Sequence, residues 1–178
     1  MKKLMIIGAI MCLTVAANAA SVGWSLLGAN AYAGGTYDVF AIGQNGVTSQ
    51  SQIAALVAAG TAVDSYAFYS GGTVAANGAI AVQAANSGKS LTYKEGGTSA
   101  DNTYQFFMIL WDKDQKTASY TGIASTTLAN NSTSKTLAFA NQSSNLSANS
   151  FTVNVPEPTS GLMLLLGVAG LALRRKRA

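Results

Sequence analysis

The sequence predicts a mainly β fold: a single β-sandwich-like domain over residues 20–155, with one short helix in it and an apolar helical segment at each end. Three observations carry this. Apolar side chains alternate with small or polar ones at a period of two in several short runs, as in strands with one wet face. Gly34-Gly35, Asn45-Gly46, Gly71-Gly72, Asn77-Gly78 and Gly96-Gly97 punctuate the chain as turns, at the spacing of an all-β sandwich. Only one internal stretch carries a helical apolar stripe with caps at both ends. A domain of this length buries one modest core without covalent staples.

Met1-Lys2-Lys3 is a positive n-region and Leu4 to Val15 an apolar h-region. Ala17 and Ala19 then offer the two small side chains that signal peptidase accepts, so residues 1–19 read as a signal-peptide helix cleaved before Ala20. As a permanent membrane anchor the apolar run is too short. A lipoprotein reading fails on Met11 before Cys12 and on the early position of that cysteine.

Within the domain, Val22, Trp24 and Leu26 alternate with Gly23 and Ser25, the first strand pattern. The run from Tyr37 to Gly46 is a strand entering a turn. Ser49 with Gln52 makes a capping box, Ile53, Leu56 and Val57 form the stripe, and Gly60 suits the C′ position, which predicts the one helix. Phe106 to Trp111 is apolar on both faces and predicts a central strand covered from both sides. Thr117 to Asn149 is rich in Ser, Thr, Asn and Ala and predicts short outer strands with long polar turns, including Leu137 and Phe139 between smaller neighbours. Phe151, Val153 and Val155 alternate with Thr152 and Asn154 in a last strand.

The formal charge of +4 is misleading once the charges are placed. Lys2, Lys3 and the final basic cluster hold all of the excess, whereas five lysines against six carboxylates leave the domain at −1. The domain has no nucleic-acid footprint. The chain has no histidine, and its one cysteine, Cys12, lies in the leader, so thiol chemistry, disulfides and the common nucleophile–base pairs are out of reach. No enzyme activity, cofactor or metal is expected. Asp112-Lys113-Asp114 lacks the remaining ligands and the glycine of a calcium loop and reads as a polar turn. Six carboxylates leave a glycosidase pair conceivable, but nothing in the sequence makes two of them face one another. Trp24, Trp111 and the seven tyrosines read as core, with sugar stacking by exposed members as the competing use.

The C-terminus is the most specific feature. Pro156-Glu157-Pro158 is followed by Thr159, Ser160, a glycine-interrupted apolar run to Leu173, and Arg174-Arg175-Lys176-Arg177. The prolines cannot continue a helix and hold the chain extended where an enzyme can grip it. Pro158 to Leu173 is 16 residues, about 24 Å as a helix at ~1.5 Å per residue. That predicts a short transmembrane helix, closed at the cytoplasmic side by the basic stop. Lys2 and Lys3 also start inside, so the domain faces outward.

This tripartite tail, residues 156–178, resembles the PEP-CTERM sorting signal of Gram-negative bacteria. The resemblance implies that Pro156, Glu157 and Pro158 are recognised by an exosortase, an integral-membrane cysteine protease and transpeptidase, after transient anchoring in the inner membrane. It also implies delivery to the cell surface or an extracellular polysaccharide matrix. The partners expected are therefore signal peptidase, the exosortase-like protease and the inner membrane. The favoured role is non-enzymatic, structural or adhesive; the runner-up is a carbohydrate-binding module with exopolysaccharide as partner.

Overall fold

The computed structural model describes residues 19–139 and 143–154. The signal-peptide segment with Ala17, and the sorting tail with Pro156, Glu157, Pro158 and the basic stop Arg174 to Arg177, lie outside the described residues. Among those described, no helix is long and apolar enough to cross a membrane. The fold is mainly β, with two sheets sharing one core.

The first sheet is organised around β1 (Ala19–Leu26). On one edge it pairs antiparallel with β4 (Ile80–Val82) and β5 (Ser90–Thr92), which divide its length between them. On the other it pairs in parallel with β9 (Ser134–Phe139). The predicted alternation holds: Val22, Trp24 and Leu26 are fully buried between the sheets. Gly23 points to the opposite face, where the chain crossing from β4 to β5 passes over it. A Cβ there would come within 2.4 Å of the Val82 carbonyl oxygen, so only glycine lets the crossing lie flat on β1.

The second sheet has β6 (Thr103–Trp111) at its centre. One edge of β6 pairs with β2 (Thr36–Ala41), and β2 in turn with β3 (Tyr69–Thr73). The other edge is shared by β7 (Thr117–Tyr120) and β8 (Ala124–Thr127). The last strand, β10 (Ser150–Thr152), pairs with β7. As its two apolar faces require, β6 serves two cores. Phe106, Met108 and Leu110 pack towards the first sheet, and Phe107 and Ile109 pack under the helix.

That helix, α1 (Gln50–Ala58), starts and stops where the sequence places it. The Ser49 hydroxyl accepts the Gln52 N–H at 3.1 Å. The return half of the box differs from expectation: Gln52 Oε1 accepts the N–H of Thr48, one residue further out, at 2.7 Å. At the other end Thr61 N–H reaches the Leu56 carbonyl and Gly60 N–H the Val57 carbonyl, a Schellman closure with Gly60 at φ +74°. Ile53 and Val57 are buried against Phe40, Phe107 and Ile109, while Leu56 is half-buried at the margin.

Two expectations need correction. A second helix, α2 (Ser143–Ala148), interrupts the segment read as strands and turns, and its Leu146 is buried in the inter-sheet core. Six residues of Ser, Asn, Leu and Ala carry no helical stripe beyond that single leucine, so no periodicity marks them. Gly71-Gly72 is also not a turn. It lies inside β3, because the ring of Tyr37 occupies the space above Gly72, where a Cβ would sit 2.1 Å from Tyr37 Cζ.

Candidate functional site

The outer face of the second sheet is covered by α1 and by Phe151 and Val153. Beyond the Schellman turn the cover thins, leaving a cleft of about 440 Å³ between residues 60–64, the β2–β3 corner, Trp111 and Val153. A volume in this range suits a small ligand.

The chemistry of the cleft comes from an irregularity in β3. Tyr37 pairs with Gly72 but Val39 pairs with Tyr69, so Ser70 and Gly71 together stand opposite Asp38 alone. This is a β-bulge, and Gly71 adopts φ +78°, a conformation that glycine takes without strain. The bulge turns the Gly71 N–H away from the ladder and onto Asp38 Oδ1, at 2.8 Å. Next to it the Ser70 hydroxyl donates to Asp64 Oδ1 at 3.1 Å. Two carboxylates 26 positions apart in sequence therefore meet at one two-residue corner of the cleft.

Asp38 is 6% exposed. Burial pushes its carboxyl above the ordinary carboxylate range; the Gly71 hydrogen bond opposes this and the charge of Asp64 adds to it. A folded-state pKa above the unfolded one makes Asp38 favour folding at low pH, and that contribution is lost as pH rises through the folded value. At pH 7 the ionised carboxylate thus opposes folding. We expect Asp38→Asn, which keeps an acceptor for Gly71, to raise the thermal midpoint at pH 7 by a few degrees. The difference should vanish near pH 3 in calorimetric scans; an equal shift at both pH values would sink this reading.

Two other acidic residues, Asp112 and Asp101, each accept a backbone N–H at a local turn. Asp112 closes the turn after β6, accepting the Lys116 N–H at 2.8 Å. Asp101, exposed at the surface, has its pKa lowered by the N–H and hydroxyl of Thr98. Among the described residues no three His, Cys, Asp or Glu side chains converge. Asp38 and Asp64 do meet, which the sequence left open. They are held at the same corner, Asp38 by the Gly71 N–H and Asp64 by the Ser70 hydroxyl.

The aromatic residues are mostly interior. Trp24, Tyr32 and Tyr37 are buried, and Trp111 with the other tyrosines is half-buried. The large apolar side chains that stand clear of the surface are Leu27 and Ile123, neither aromatic. Among the described residues no aromatic side chain is in the exposed class.

Of the site residues expected from sequence, Ala19 alone is placed. It is the first residue of β1, paired with Thr92, with Ala20 buried behind it. The domain's far end is as tightly held: Val153 N–H donates to the Lys116 carbonyl and Asn154 N–H to that of Ala58, two residues before Pro156. No curated protein and no solved structure matches the chain. A family model for the PEP-CTERM protein-sorting motif matches residues 154–177. The tail thus carries the PEP-CTERM motif, and the chain is an exported, membrane-transiting protein of the kind that an exosortase-type enzyme processes.

Proposed function

We propose that the protein is a non-enzymatic structural or adhesive component of the cell surface or extracellular matrix, and that its tail is removed on the way there. The observation that carries this is the motif match at residues 154–177, beginning where the hydrogen-bonded domain ends. On this reading Pro156, Glu157 and Pro158 are acted upon by a membrane protease, after signal peptidase has cut behind Ala19. The apolar run holds the chain in the inner membrane until then. The chain brings no histidine, and no cysteine beyond Cys12, to chemistry of its own.

Mass spectrometry of the surface-exposed protein tests it. The mature form should begin at Ala20 and yield no peptide from residues 161–178. An intact tail on the surface-exposed form would leave a plain membrane anchor and end the proposal.

A further inference from the structure

We propose that folding closes the signal-peptidase site: the cut behind Ala19 must be made before β1 pairs with β5, and a precursor that folds first keeps its leader. This rests on the reading that the enzyme cuts between Ala19 and Ala20, and it adds an order to two events.

The bond lies inside a strand, which is the first argument. β1 begins at Ala19, and Ala19, Ala20 and Ser21 stand opposite Thr92, Leu91 and Ser90 of β5. The next N–H, that of Val22, donates to the Lys89 carbonyl at 2.9 Å, so the pairing continues past the end of β5. The other edge is taken as well, since Ser21 N–H donates to the Thr133 carbonyl at 3.0 Å. A peptidase that takes its substrate as an extended chain binds it through these same main-chain groups. In the folded domain they are occupied by β5 and by the approach to β9.

Burial is the second argument. Ala20 is 1% exposed and Leu91, its partner across the ladder, 2%. Both belong to the inter-sheet core. Presenting the Ala19 carbonyl to a nucleophile therefore means lifting Ala20 out of that core and parting β1 from β5. Only the minor fraction of molecules opened in this way can be cut, and the rate falls with that fraction.

Position along the chain is the third. β4 takes Trp24 to Leu26 and leaves the bond free. β5, about 70 residues beyond the bond, is the first segment that covers it. A chain threaded outward from its N-terminus thus offers an open bond until Ser90 to Thr92 arrive. A molecule that folds past this point uncut keeps an apolar segment at each end.

The test uses the full-length precursor in detergent micelles with purified signal peptidase. The temperature is one at which the parent and Leu91→Ala are folded and Trp24→Ala is not, as circular dichroism establishes beforehand. Mass spectrometry follows the product that begins at Ala20. The folded parent should be cut at least about tenfold more slowly than Trp24→Ala, as a minor open population requires. Leu91→Ala loosens β5 against β1 without unfolding the domain, and its rate should fall between the two. Equal rates for the parent and Trp24→Ala, with a product beginning at Ala20, would overturn the proposed order and leave the reading of the cut in place. So would Leu91→Ala being cut no faster than the parent. A product beginning at another residue, or no product from any of the three, would end the reading of the cut and this inference with it.

Discussion

Replacing Trp24 by alanine should remove about 3–5 kcal/mol of folding stability, the range for deleting a large aromatic from a packed core. Of a typical total of about 5–15 kcal/mol, that leaves a marginal domain. Trp24 has no exposed surface and sits on β1, the strand through which the first sheet is joined. Its indole N–H donates to the Tyr37 hydroxyl at 3.0 Å, a bond that crosses from one sheet to the other. Its ring lies 4.7 Å from that of Tyr69, which in turn lies 6.0 Å from that of Tyr37. Alanine would empty the middle of this cluster and strand a buried hydroxyl. Trp24→Phe separates the two effects, since it fills most of the space and lacks only the donor; about 1–2 kcal/mol is expected there. Urea denaturation of the purified chain gives both numbers. A loss below about 1 kcal/mol for Trp24→Ala would mean that the two sheets are not held together at this point.

The largest effect on fate rather than folding should come from the tail. With Pro156, Glu157 and Pro158 all changed to alanine, processing should stop and the full-length protein should collect in the membrane fraction. The domain itself should melt as before, because its last described hydrogen bonds are those of Val153 and Asn154, upstream of the change. Alanine is chosen because it removes the two prolines, which bar a helix, and so allows the helix expected of the apolar run to extend into the motif. Intact mass in each cell fraction gives the readout. Normal trimming of the triple variant would show that the enzyme reads the apolar run and basic end alone.

Much of the framework was legible because its causes are local. A period of two in Val22, Trp24 and Leu26 needs no knowledge of the partner strands. Two apolar faces on Phe106 to Trp111 require cover on both sides, and the two cores supply it. Caps at Ser49 and Gly60 fix the limits of α1. What could not be read is what depends on distant neighbours. Gly71-Gly72 carries the composition of a turn, and only the Tyr37 ring above Gly72 makes it a strand. Neither Asp38 nor Asp64 is distinctive by itself; the bulge that brings them together is a register shift between two strands and leaves no pattern along the chain. One trace was available. Asp38 interrupts an otherwise apolar strand, Tyr37 to Ala41, and an acid in such a place requires a reason.

The parallel pairing of β1 with β9 also sets an order of events. Ser21 finds Ser134, and Leu26 finds Phe139, about 110 residues later in the chain. A protein threaded outward from its N-terminus delivers β1 first and β9 nearly last. Contacts of such long sequence separation form slowly, since most of the chain must be gathered before they are made. Until then the edge of β1 that β9 takes stays open, a target for proteases and for other unfinished chains. β9 and the apolar tail both emerge near the end of the chain, so the first sheet is completed late. Were the tail to stop in the membrane as proposed above, each late-folding molecule would stay near its exit site and apart from its copies during the slowest step.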